Sequence, residues 1–164
     1  MNFIDHVRRC MVRDLAGFEA ELNAFPDDAS VWIMHPQIPN STGTLALHAA
    51  GNLRHFVGAT LGGSGYVRDR DAEFRTRDLA RSELLVLLHA ARDEVNDTLR
   101  RLDSTALDAP FPLKVGGVTL STGLMLTHLA THLAYHLGQA DIHRRVVTFN
   151  PKGVGAVGMR ELTA

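Results

Sequence analysis

The chain has 164 residues, of which 45% are hydrophobic and 21% charged, and its formal net charge is −1. That size suits one ordinary domain with a real core, and that mix suits a folded globular protein rather than a disordered one. The balanced charge gives no electrostatic case for nucleic acid or an anionic membrane, and no apolar run reaches the roughly 18 to 20 residues of a membrane span.

The first predicted helix opens after Asn2, a competent N-cap, at a terminus with neither the basic start nor the apolar stretch of a signal peptide. Ile4, Val7, Met11, Leu15, Phe18, Leu22 and Phe25 follow at spacings of 3 and 4, one stripe over about six turns. Pro26-Asp27-Asp28 ends it. The connection that follows, with Trp32, Pro36 and Pro39, is too proline-rich for a helix. Asn40 and Ser41 can cap a second helix from about Thr42 to Leu61, with Leu45, His48, Asn52, Phe56 and Ala59 along one stripe. Gly62-Gly63-Ser64-Gly65 breaks it, and the charged stretch Tyr66 to Arg77 reads as a solvated loop.

A third helix is expected from about Leu79 or Ser82 to Leu102, on Leu85, Leu88, Val95, Leu99 and Leu102. Phe111 to Leu120, centred on Gly116-Gly117, could form a short β-hairpin, because Gly-Gly suits a two-residue primed turn. Ser121 caps the last helix, expected to reach about Val146, and residues 148–164 read as an irregular tail. Four helices of about 20 residues predict an all-α, four-helix bundle with long connections, one domain over residues 1–164. The order and direction of the helices stay open. Cys10 is the only cysteine, so an intramolecular disulfide is excluded and the cytoplasm is the expected compartment. It lies between Val7 and Met11 as a small packed residue rather than a nucleophile.

Nine histidines are present, and their placement carries the chemistry. The last helix holds His128, His132 and His136, at i, i+4 and i+8. Side chains four apart on a helix are neighbours, so two imidazoles on adjacent turns can converge on one ion. All three cannot serve one ion, because the outer pair is separated by about 12 Å of helix rise. Spacing alone does not choose between the pairs His128/His132 and His132/His136. No Glu follows the first histidine of either pair, so His-Glu-x-x-His peptidase chemistry is not supported. The best third ligand is His48, mid-helix among Leu45, Ala49, Asn52 and Leu53, a position that faces a bundle interior. Two ligands from one helix and one from another would leave positions open for water or substrate, the pattern of a catalytic site. A lone histidine on a partly apolar stripe is more often a hydrogen-bonded core residue, which is the reading for His55, His89 and His143; His6 and His35 read as surface or loop residues.

The run His48-Ala49-Ala50-Gly51-Asn52-Leu53-Arg54-His55-Phe56, with His132-x-x-x-His136-Leu137-Gly138-Gln139 on the last helix, resembles the DinB/YfiT-like superfamily of metalloenzymes. The resemblance covers nearly the whole chain in order and spacing. It implies a four-helix bundle, often a homodimer, with three histidines on one divalent metal, zinc or nickel. Carried over residue by residue, the implied ligands are His48, His132 and His136, with the Gly-Gln after His136 selecting that pair. His128 then becomes a neighbour of the site. Asn52 and Gln139 are expected to orient a ligand imidazole or a bound water. Trp32, Arg54, Tyr66 and Arg68 are pocket candidates, although a loop Trp is equally a local core plug.

Three neutral imidazoles leave a divalent ion its full charge, which favours lowering the pKa of a bound water or thiol. The resemblance implies a metal-dependent thiol S-transferase acting on a small-molecule electrophile with a low-molecular-weight thiol such as bacillithiol or mycothiol. The alternatives are a metal-dependent hydrolase, weakened because the interior offers no obvious carboxylate base, and a non-catalytic metal-binding stress-response protein.

Overall fold

The computed structural model describes residues 2–159 and 162. Its helices are α1 (Phe3–Asn23), α2 (Thr42–Leu53), the short α3 (Arg70–Arg75), α4 (Arg81–Arg101) and α5 (Thr122–Thr148). The starts follow the local chemistry. Asn2 accepts from the Asp5 amide, Ser41 from the Thr44 amide and Ser121 from the Leu124 amide, each satisfying a donor that a helix start leaves orphaned. At α4, which begins after Ala80, the Glu83 carboxylate instead reaches back to the Ala80 amide.

Contacts between side chains set the directions. Arg8 reaches Asn96, Glu19 reaches His89, and Arg81 reaches the Phe25 carbonyl, so α1 and α4 run antiparallel. Gly17 packs on Leu137 and Glu21 on Arg144, so α1 and α5 run parallel. Thr42 meets His143 while His48 meets His132 and His136, so α2 and α5 are antiparallel. Helices α2 and α4 are therefore parallel neighbours, joined by Arg54 and Glu94. The bundle is up-down-down-up, and residues 60–80 must run back along its length to connect α2 with α4.

Every residue of α2 is buried, which its small side chains permit. Gly43 lies under the Trp32 indole, where an added Cβ would come within 2.7 Å of the ring. The stripe of α1 read from the sequence faces inward with Ile4, Met11, Leu15, Phe18 and Leu22 in the core. No helix among the described residues is long and apolar enough to cross a membrane.

Three expectations are corrected. The stretch read as a solvated loop contains α3, capped by Asp69 accepting from the Ala72 amide. The second helix does not end as one uniform element: Arg54–Ala59 continues α2 as a π-helix, with the Thr60 amide donating to the His55 carbonyl five residues back. The hairpin shrinks to its turn. Val115 and Val118 exchange amide–carbonyl bonds of 3.0 and 3.2 Å around Gly116 and Gly117, whose φ of 59° and 82° suit the primed turn. Pairing then stops at isolated bridges, and no sheet forms among the described residues. Leu113 and Val118 stay exposed there, so no apolar face drives a longer ladder.

Helix α5 outruns its expected end by two residues and stops at Phe149, in the left-handed region at φ 53°. The start of the tail is tied down: the fully buried Arg144 guanidinium donates to Glu21 at 2.5 Å and to the Lys152 carbonyl at 2.9 Å. Residues 160, 161, 163 and 164 of the expected tail lie outside the described residues.

Candidate metal centre

Antiparallel packing of α2 on α5 brings His48 to the level of His132 and His136. Each of the three rings offers a nitrogen such that all three nitrogens lie within 4.8 Å of one another. Ring centroids are 5.3 Å apart for His48 and His132, 5.0 Å for His48 and His136, and 4.3 Å for His132 and His136. His48 is buried, while His132 and His136 are partly open to solvent. His128 is exposed, its ring 5.8 Å from that of His132, and it lies outside the cluster.

Hydrogen bonds decide which nitrogen each ring presents. His48 Nδ1 lies 2.9 Å from Glu73 Oε2. An ionised carboxylate only accepts, so Nδ1 carries a proton and Nε2 is the nitrogen left to serve as a ligand. The Arg68 Nη2 lies 3.3 Å from the same nitrogen but only 2.8 Å from Glu73 Oε2. Its proton therefore goes to the carboxylate, because a protonated Nδ1 cannot accept. At His136, Nδ1 lies 2.7 Å from Gln139 Oε1, which again leaves Nε2 as the nitrogen to serve. His136 Nε2 and His132 Nε2 are 3.0 Å apart, close to the separation of two nitrogens that share one ion at about 2.0 to 2.1 Å each.

The electrostatics suit ligation. Burial, reinforced by the neighbouring rings of His136, His48 and His128, pushes the His132 pKa down to about 4. Burial also lowers the His136 pKa. Both rings are therefore neutral near pH 7, the form that coordinates. Burial pushes the Glu73 carboxyl up, but the Arg68 and His48 hydrogen bonds outweigh it and hold the group below its ordinary range. Arg68 grips Glu73 with two donors, Nε to Oε1 at 2.6 Å and Nη2 to Oε2 at 2.8 Å. Three imidazoles, two of them oriented in advance through Nδ1, fit a divalent transition ion.

The remaining expected residues separate. Gln139 sits against His136 as an orienting residue would. Asn52 is buried one turn beyond His48. Trp32 does not line the centre: it is buried on Gly43 and donates Nε1–H to the Leu79 carbonyl, a core plug. Arg54 pairs with Glu94 and stacks 4.1 Å over the Tyr66 ring, and both border a cleft of about 200 Å³ that Glu73 also lines. That cleft is not walled by any of the three histidines. Sequence reasoning missed Glu73. It stands on α3, in the stretch read as solvated, so the interior does hold a carboxylate, only 6% exposed. The local signal was the Asp69 cap, which marks a helix start with Glu73 in its first turn; the inward direction of Glu73 comes from the packing.

Comparison with known families gives one finding. A family model described as mycothiol-S-transferase matches residues 3–148, which span all five helices. No curated protein and no solved structure matches.

Proposed function

Because the chain belongs to the mycothiol-S-transferase family, we propose that it is a metal-dependent thiol S-transferase working at His48, His132 and His136. The family bears out the DinB-like resemblance read from the sequence. The observation that carries the reading is the convergence of three imidazole nitrogens within 4.8 Å, on rings of which two, His48 and His136, direct Nδ1–H to Glu73 and Gln139.

A zinc or nickel ion, when bound, supplies a Lewis acid that favours the thiolate of a low-molecular-weight thiol. The reaction class is R–SH + R′–X → R–S–R′ + HX. The sulfur forms the new bond to carbon, and the leaving group departs with its electron pair. The chain's own part is to keep the imidazoles neutral and oriented. Glu73 and Arg68 hold His48 from α3 and the connection before it, Gln139 holds His136, and Phe74 packs on the His48 ring at 5.0 Å. Hydrolysis is the weaker reading, because the carboxylate beside the cluster is already engaged by Arg68 and His48 and is not free to take a proton from water.

We also read the protein as a cytoplasmic homodimer. Tyr135, Ile142 and Val146 are exposed at spacings of seven and four along α5, an apolar stripe a second copy could cover; size-exclusion chromatography with light scattering tests it.

Metal-loaded protein assayed with monobromobimane tests the reaction. Turnover that requires added mycothiol supports transfer. Ester cleavage without thiol would replace that reading with hydrolysis, and no turnover in either assay would leave a binding protein. Elemental analysis should find about one metal per chain in the wild type, with most of it lost in both His48→Ala and His136→Ala.

A further inference from the structure

Glu21 Oε1 is one of only two buried side-chain oxygens among the described residues that lack a hydrogen-bond partner. The Glu21 side chain is 1% exposed, and its other oxygen, Oε2, holds Arg144 Nε. A carboxylate oxygen shut away from water without a donor is costly, so such groups mark places where something else binds. Asp141 stands on the same guanidinium. Its Oδ1 takes Arg144 Nη2 at 3.1 Å and Arg145 Nε at 2.9 Å, and its Oδ2 takes neither bond. Burial, opposed by Arg144 and reinforced by Asp141, raises the Glu21 carboxyl above its ordinary range.

Both carboxylates line a cleft of about 510 Å³ between α5, the end of α1 and the tail segment 153–158. The tail is held in place on either side of Gly153: the Lys152 carbonyl accepts from Arg144, and Ala156 packs on Gly17, where an added Cβ would fall 2.9 Å from the Ala156 carbonyl oxygen. Leu137, Val154 and Val157 give the cleft apolar walls. Apolar walls around a few fixed polar groups, at this size, suit an organic ligand. A metal ion fits poorly, since Arg144 and Arg145 lie against the same carboxylates and no third metal-binding side chain gathers with them among the described residues. An anion fits no better, because the empty atom is an acceptor. None of His48, His132 and His136 lines the cleft, so the site stands apart from the candidate metal centre.

We infer that this cleft binds a primary alkylammonium, whose N–H groups donate to Glu21 Oε1 and Asp141 Oδ2 while its chain lies along Leu137, Val154 and Val157. An ammonium group carries three donors and no acceptor, so one small cation serves both oxygens. Hydrogen bonds between ionised partners are also the shorter and stronger kind. The charge balance favours the same occupant. Arg144 is fully buried but shared between two carboxylates, and Arg145 is 38% exposed, where solvent screens it. The buried end of the cleft therefore keeps a negative excess. A site with fixed acceptors discriminates against an analogue that lacks the donors, because the acceptors are then left empty.

Isothermal titration calorimetry of the full chain with hexylammonium, hexyltrimethylammonium and 1-hexanol at neutral pH tests this. Hexylammonium should bind about tenfold more tightly than either of the others, since the quaternary ion keeps the charge without the N–H and the alcohol lacks the charge. Glu21→Gln keeps an oxygen for Arg144 but turns an N–H2 group toward the ligand, and the preference should vanish. Should that variant fold poorly, Gly138→Leu serves with the ion pairs intact. Gly138 lines the cleft and a Cβ there meets nothing within 4 Å, so the leucine builds into the cleft and should weaken hexylammonium about tenfold. Equal affinities for the three probes, or a preference that survives in Glu21→Gln or Gly138→Leu, would overturn the inference. No binding of hexylammonium would overturn it as well, and would leave Glu21 sharing a proton with Asp141. The reading of the histidine cluster would stand in either case.

Discussion

Glu73 Oε2 stands 2.9 Å from His48 Nδ1, and the contact joins two residues 25 positions apart in the chain. It places the Nδ1 proton of the proposed ligand His48 and leaves Nε2 as the nitrogen to serve the site with the pair on α5. Replacing Glu73 with Ala frees that ring to rotate and leaves the Arg68 guanidinium facing it. Such outer partners are worth about 10- to 100-fold in metal affinity. Competition against a chelator should show a loss of that size in Glu73→Ala and a smaller one in Glu73→Gln, which keeps an acceptor. An unchanged affinity in both would remove Glu73 from the centre.

Acid should destabilise the metal-free protein earlier than carboxylate titration alone would. Burial holds His132 at about 4 and lowers His136 and His143 as well, while the unfolded rings titrate near 6.5. As pH falls, the unfolded chain takes up these protons first. The stability from these rings is therefore fully present above about pH 6.5 and is lost as pH falls through the folded values. His143 contributes because its Nδ1 faces the Thr42 amide and hydroxyl while Nε2 donates to the Ile33 carbonyl, so protonation leaves two donors opposed. Urea denaturation at pH 7 and pH 5 should show the drop, and His132→Gln should flatten it.

Two glycines of the second helical segment separate the centre from its surroundings. A Cβ at Gly51 would fall 2.2 Å from Glu73 Oε1, and one at Gly58 would fall 1.9 Å from Glu94 Oε2. Glu73 is buried and held by Arg68, so it cannot yield without leaving His48. Glu94 is partly exposed and can swing out, at the cost of a pair with Arg54 worth about 1 kcal/mol or less. Metal titration should find Gly51→Ala impaired and Gly58→Ala near wild type. The reverse order would contradict the packing described.

A buried ion pair anchors the far end of α5. Arg144 and Glu21 side chains are each 1% exposed, so removing one partner strands the other. Arg144→Met should lose about 3 to 5 kcal/mol of folding stability, whereas replacing both residues with apolar side chains should recover most of it. Denaturant midpoints across the cycle give the measurement.

The long helices were legible from local signals, the stripe of α1 and of α4 and the caps Asn2, Ser41 and Ser121, which mark starts that the structure keeps. His48 was legible from its interior place on the second helix, but the choice of His136 over His128 as its partner beside His132 came only through resemblance, since the spacing on α5 permits either pair. What could not be read is what depends on long-range packing. Six residues of α3 have too few positions to show a period, and Glu73 looks solvated beside Asp69, Arg70 and Asp71 until the fold places it under Arg68. The π-turn after α2 hides for the same reason, because one extra residue per turn leaves no mark on composition. The direction of the helices likewise rests on pairings such as Arg8 with Asn96, far apart in the chain.

The parallel placement of α2 beside α4 sets a minimum length for the segment between them. Most surface connections tolerate deletion, since closing a loop depends only weakly on its length. Here a trimmed connection could join α2 only to an α4 turned end for end. It would also take Arg68 and Glu73 with it, so an economy in chain length would cost His48 the carboxylate that orients it.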